Sequence, residues 1–307
     1  MIEATKDNYI ALSDLGLLQV TGKQAKQFLQ GQLTCNLDEV NEHQTRLGAY
    51  CDVKGRVQAT FRLFFYQNAY YFLLPRHMVS LLFVALKKYA VFSKLDLSDV
   101  SDNWQKMGLY GSKIAALLSA QQLYPKEENG FIAHEPILSL SIPGPSPRFI
   151  LLSPSPPSIG FIETTCSPQT LNDWHLFDII AGIATIYPET SGQFTPHQLN
   201  YPALGGVSFN KGCYIGQEII ARTQYLGKAK SRLYRASFQA NEQAIPGTGL
   251  LEKGSQGLKG TVLMSAKDDF NHYQALVCLQ NQAISHTIYL ENRQASIIKL
   301  LELPYSI

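Results

Sequence analysis

Ser208-Phe209-Asn210-Lys211-Gly212-Cys213-Tyr214-Ile215-Gly216-Gln217-Glu218-Ile219-Ile220-Ala221-Arg222 divides two patterns of chain and carries its densest chemistry. Gly212 and Gly216 bracket a thiol and a tyrosine, and glycine reaches backbone conformations closed to other residues. A sharp turn is expected there, with a helix from Gln217 through Arg222. A thiol near a helix N-terminus and beside an ammonium has its thiolate favoured by both, which predicts Cys213, with Lys211 close to it, as a nucleophile or metal ligand at neutral pH. The same residues also read as a tight strand-to-helix turn holding an inert small side chain, and spacing leaves the two readings open.

Toward the N-terminus, strands alternate with helices. Residues 15–20 read as a strand, Thr21 as an N-cap, and Ala25, Phe28 and Leu29 as a short helix that Gly31 closes. Residues 57–66 and 69–74 read as strands joined by Gln67-Asn68 in a hairpin. Met78, Leu81, Leu82, Ala85, Leu86 and Tyr89 recur at helical spacing, so one stripe should pack inward. Pro143, Pro145, Pro147, Pro154, Pro156 and Pro157 forbid a helix between 142 and 159 and predict loops around one edge strand, 148–152. A helix is expected over 171–185, with Trp174 and His175 in its first half and Pro188 beyond its end.

Toward the C-terminus, from about Lys228, short β-like runs take over at 231–238, 260–265, 274–279 and 295–300. They predict a β-barrel or sandwich of about 80 residues. The whole is an α+β chain, with one region at 1–227 and a second at 228–307. Its 307 residues are 45% hydrophobic and 16% charged, which supplies a large buried core. A net charge of +2, from 26 Lys and Arg against 24 Asp and Glu, sets up no global field for nucleic acid. Residues 1–8 lack a basic segment followed by an apolar run, and no later stretch approaches the roughly 20 apolar residues of a membrane span, so a cytosolic chain without a membrane partner is expected. Cys35, Cys51, Cys166, Cys213 and Cys278 are scattered and form no CxxC pair, which argues against a disulfide framework or a local metal or cluster site. Cys35, Cys166 and Cys278 read as small buried hydrophobes.

Lys211, Gly212, Cys213, Tyr214, Gly216, Gln217 and Glu218 match every fixed letter of K-G-C-Y-x-G-Q-E, and the chain resembles the YgfZ family, relatives of the glycine-cleavage T-protein, over nearly its whole length. Residues 28–34 look like that family's early helix and Cys51-Asp52-Val53-Lys54-Gly55-Arg56 like its C-D-x-K-G-[KR] turn. Residues 86–94 look like its central helix end. Residues 191–196 and 204–209 match the approach to the signature, and Leu303-Pro304-Tyr305-Ser306 the tail.

The resemblance implies a T-protein fold, with α/β subdomains around a central channel that binds tetrahydrofolate, followed by a C-terminal barrel. It further implies support for iron–sulfur cluster assembly or repair in client enzymes, tRNA-thiolating enzymes among them, with no direct nucleic-acid binding by this chain. Cys213 would act as a thiolate beside the folate, with Lys211, Tyr214, Gln217 and Glu218 around it. Trp174 matches a tryptophan associated with folate in relatives, and its ring could stack on the pterin or benzoyl group; a second such tryptophan corresponds to Leu15. Tyr89, Lys54 and Arg222 are candidates to line the channel and neutralise a glutamate tail, and each reads equally well as a solvated or structural residue. The family's I-E-A-G run is Ile179-Ile180-Ala181-Gly182 here, so a pterin-binding carboxylate is replaced by Ile180, and Asp178 is expected to face another side of the helix. The T-protein's channel aspartate has no counterpart in residues 55–61, which argues against aminomethyl transfer, a step that must manage a proton or developing charge. A folate-independent scaffold is the remaining alternative. His175 and His197 are not expected to be ligands, and no metal site is expected.

Overall fold

The structure, a computed structural model, describes residues 7–154, 159–227, 229–255, 257–269, 271–291 and 293–307. Most of the N-terminal segment read above, Pro156, Pro157 and the boundary residue Lys228 lie outside the described residues.

Three sheets form the frame. The first is antiparallel, in the order Arg46–Cys51, Val57–Tyr66, Ala69–Pro75, Leu15–Thr21, Asp96–Asp99. Its inner strands are buried on both faces, so they read as continuous apolar runs. Alternation then assigns the side chains: Tyr70, Phe72 and Leu74 enter the main core, and Ala69, Tyr71 and Leu73 enter a second core on the opposite face. The helices Ala25–Gln30 and Arg76–Ala90 pack on this sheet. The hairpin at Gln67-Asn68 has both central residues at positive φ, 46° and 59°, the handedness that matches the twist of its strands.

The second sheet runs Ser167–Pro168, Asn8–Ala11, Trp104–Tyr110, Arg148–Pro154, Ile137–Ile142, Phe131–His134. Ile150 and Leu152 face the second core, and Phe149 and Leu151 a separate one shared with Ile114, Leu118 and Ile162 of two covering helices. The third sheet comprises seven strands, all beyond residue 230, and curls into a nearly closed barrel in which Arg293–Ile297 approaches Ser231–Gln239. The run expected at 295–300 is divided there between Arg293–Ile297 and Lys299–Leu301. One helix, Leu171–Ile180, joins all three sheets: Trp174 and Phe177 enter the second core, Leu176 and Ile179 the main one, and the helix packs on two barrel strands, Leu258–Asp269 and His272–Gln280. Apolar residues on several faces suit a helix buried all round.

Four sequence expectations change. The helix expected to reach 185 ends at Ile180, because Gly182 takes φ +68° and a Cβ there would meet Tyr305 at 2.7 Å. Thr21 is the last residue of its strand rather than a cap; Gly22, at φ +114°, turns the chain into a helix capped at Gln24. The strand at 148 is interior, since Pro143, Pro145 and Pro147 precede it and Pro154 ends it, leaving its ladder of N–H donors intact. In Arg76–Ala90 the stripe is narrower than its spacing suggests: Met78, Leu82 and Leu86 are buried, while Leu81 and Tyr89 are exposed.

Candidate functional site

A cavity of about 90 Å³ lies where the first sheet, the second sheet and the helix Leu171–Ile180 meet. The first sheet and the turn before it supply Asp14, Leu15, Leu47, Thr60, Phe61, Arg62 and Leu73. Ile142 and Ile150 come from the second sheet, Trp174, His175 and Asp178 from the helix, and Tyr187 and Tyr201 from the chain beyond it. A cleft of about 450 Å³ shares His175 and Tyr187 with the cavity and opens toward Met264 and Ser265 of the barrel.

Polar groups are concentrated in this apolar setting. His175 Nε2 lies 2.7 Å from Asp14 Oδ2. Burial disfavours the imidazolium, but the hydrogen bond and charge of Asp14, helped by Asp178, outweigh it and raise the His175 pKa. Asp14 Oδ1 is buried with no partner. Arg148, 1% exposed, is ion-paired to Asp178 at 2.7 Å and stacked over the Trp174 ring at 5.0 Å. Arg62 donates to Thr45 Oγ1 and Asn129 Oδ1; burial, then the nearby charge of Arg148, lowers its pKa to about 10.

As expected, Asp178 faces another side of the helix from Ile180: it lines the cavity on the same side as Trp174, as an i,i+4 pair does, whereas Ile180 packs against the main core. Trp174 and Leu15 both line the cavity, but the Trp174 ring is 4% exposed, with Gly108 so close that a Cβ there would sit 2.6 Å from it. The ring is a wall with little free face for stacking.

Cys213 lies elsewhere. The helix Gln217–Leu226 starts after Gly216, at φ +79°, where a Cβ would sit 2.5 Å from Asp52 O. That contact interlocks the signature with the 51–56 turn, in which Asp52 Oδ1 accepts from the Lys54 and Arg56 N–H groups. Ile215 N–H donates to Gly31 O, Ser208 N–H to Thr34 O, and Arg56 Nη1 to Gln193 O. Four motifs distant in sequence thus meet in one knot, with Cys213 exposed on its surface. Lys211 does not serve the thiol. Its ammonium donates at 2.8 Å to both Leu33 O and Cys35 O and lies over the Tyr214 ring, and burial lowers its pKa to about 8. Burial likewise raises the thiols of Cys35, Cys166 and Cys278 to about 11, as suits inert core residues.

None of Cys213, Lys211, Tyr214, Gln217 and Glu218 lines the cavity. The strand Val57–Tyr66 links the two places: Val57 is bonded into the knot and Thr60 lines the cavity, three residues or about 10 Å along. Tyr89, Lys54 and Arg222 do not line the cavity either. Lys54 and Arg222 are exposed, and Tyr89, at the end of its helix, is close enough to the burial-shifted phenol of Tyr50 to help raise it to about 12. Sequence reasoning missed Asp14, Arg62 and Arg148; the one signal was an arginine opening the apolar run 148–152. Among the described residues, no group of three His, Cys, Asp or Glu side chains could hold a metal ion, and no helix is long and apolar enough to cross a membrane.

No family model matches the chain. The backbone is similar to the glycine cleavage system aminomethyltransferase T from Bartonella henselae, with a TM-score of 0.75 over 98% of this chain and 86% of that one, at 13% identity. The tRNA-modifying protein YgfZ of Colwellia psychrerythraea is 30% identical over a 309-position alignment that covers 97% of this chain and 93% of that protein. Identity of that order along almost the entire length, on a backbone with the aminomethyltransferase T fold, makes this chain a member of the YgfZ family.

Proposed function

We propose that the chain binds a reduced folate in the cavity beside Trp174 and, through the exposed Cys213 thiol, supports iron–sulfur clusters in client enzymes, including enzymes of tRNA modification. The observation that carries the folate reading is the Asp14 carboxylate, whose Oδ1 is a buried acceptor without a donor, next to Asp178 in the same lining. The pterin edge of a folate is a row of N–H donors. Asp14 and Asp178 would hold that edge, and the benzoylglutamate tail would run into the cleft past His175 and Tyr187. The enclosed part is smaller than the 300–1,000 Å³ usual for a ligand site, so the cleft has to take the larger share of the molecule. A bound reduced folate supplies a carrier for one-carbon or redox chemistry.

Cys213 is the one exposed thiol of the five, and it stands on a rigid turn where a client could reach it. The client cluster is cargo, met at the surface where Cys213 is exposed and not within the folate cavity, which that thiol does not line. Aminomethyl transfer of the T-protein type is disfavoured by Thr60-Phe61-Arg62, which puts a guanidinium and no carboxylate on that wall.

Calorimetric titration with tetrahydrofolate tests the reading. Saturable binding, weakened at least tenfold in Asp178→Asn, supports it; no binding to the wild-type chain would leave a folate-independent scaffold as the better account.

A further inference from the structure

At the C-terminal end of the helix Gln217–Leu226, about 15 Å from the end that follows Cys213, a separate cleft of about 400 Å³ is walled by His197, Asn200, Thr223, Gln224 and Arg232 with Pro202, Ala203 and Ala229. It shares no lining residue with the folate cavity.

Its hydrogen-bonding groups are oriented by their other bonds. Asn200 is 2% exposed and donates through Nδ2 to Leu233 O, which can only accept, so the amide cannot be flipped and Oδ1 is a true acceptor. That Oδ1 is buried with no donor. His197 Nε2 is bonded to Gln224 Oε1 at 3.0 Å and therefore carries the hydrogen, which leaves Nδ1 as a second buried acceptor without a donor. Burial, with the nearby positive charge of Arg232, outweighs the Gln224 hydrogen bond and lowers the His197 pKa, favouring the neutral ring. Arg232 has no carboxylate within ion-pair distance among the described residues; Ile307 also lines the cleft, and no Asp or Glu side chain does.

Two orphan acceptors near one unopposed guanidinium call for a ligand with clustered N–H donors and an adjacent anion. The partial negative charge of the helix C-terminus also favours a cation there. Apart from the His197 imidazole no aromatic ring lines the cleft, which disfavours a nucleobase, since such sites use stacking. We propose that this cleft binds a free α-amino acid with an uncharged side chain: the ammonium donates to Asn200 Oδ1 and His197 Nδ1, the carboxylate accepts from Arg232, and the side chain lies on Pro202, Ala203 and Ala229.

Calorimetry on the full chain with L-leucine, L-methionine and L-glutamine tests this, with isoamylamine and 4-methylpentanoate as leucine analogues that each lack one charge. At least one amino acid should bind saturably while both analogues bind at least tenfold more weakly. Arg232→Gln and His197→Phe, with melting temperatures checked against wild type, should each weaken binding about tenfold or more. Trp174→Phe should leave it unchanged, which separates this site from the folate cavity. Absence of binding by all three amino acids, equal binding by either analogue, or undiminished affinity in Arg232→Gln overturns the proposal.

Discussion

Two ion pairs, Arg148–Asp178 and the half-buried Asp14–His175, set the chemistry of the cavity, and they respond differently to change. Asp178 neutralises Arg148, a guanidinium only 1% exposed. Asp178→Leu strands that charge and should cost about 3–5 kcal/mol in urea unfolding, whereas Arg148→Met with Asp178→Leu, which removes both charges, should recover most of the loss. The Asp14–His175 pair is governed by pH. His175 has its folded pKa raised above the ordinary imidazole value of 6.5, so the pair's contribution is fully present below about 6.5 and fades as pH rises through the folded value. Asp14→Asn should therefore destabilise by about 1–2 kcal/mol at pH 5.5 and by clearly less at pH 8.5, read from urea midpoints at both values. At the surface, Cys213→Ala removes an exposed side chain and should change stability by less than about 0.5 kcal/mol, yet abolish support of cluster enzymes in a strain lacking the wild-type chain. Full support by that variant would remove the thiol from the mechanism.

Among the elements, the knot around the signature shows how turns rather than helices hold the thiol. Gly216 and Gly55 both take positive φ, 79° and 69°, and the Cβ of an alanine at 216 would come within 2.5 Å of Asp52 O and 3.0 Å of Gly55 Cα. Gly216→Ala combines a strained conformation with a clash against backbone, so a loss of about 1–3 kcal/mol and displacement of the Cys213 turn are expected. Thermal unfolding would give the first, and the rate of Cys213 alkylation relative to wild type the second. Gly212, with nothing near its Cβ position, should accept alanine without such a penalty. Both turns were legible as turns in the sequence. That they lock into each other was not, because the contact joins residues more than 150 positions apart and leaves no periodic trace in either segment.

For the whole molecule, the helix Leu171–Ile180 is the meeting point: its residues enter two cores and touch the barrel, and the main core itself includes barrel residues such as Leu263 and Leu276 alongside Leu18 and Leu82. Phe177→Ala should cost about 3–5 kcal/mol and lower the unfolding of barrel and α/β regions together, as hydrogen exchange resolved along the chain would reveal. Element types were largely written in the sequence, since periodicity, turn residues and prolines act locally: the 57–66 hairpin, the helix over 78–89 and the β-rich C-terminus follow from neighbours. Helix and strand ends were less legible, because Gly182 stops its helix through the tail residue Tyr305, far along the chain. The signature by itself also singled out Cys213 and the family. Only the tertiary structure decided that Lys211 turns to the carbonyls of Leu33 and Cys35, that Asp178 rather than position 180 faces the cavity, and that Asp14, His175 and Arg148 assemble there. The direction of a side chain and the shift of a pKa depend on burial and on charges brought from remote segments, and those exist only once the sheets have packed.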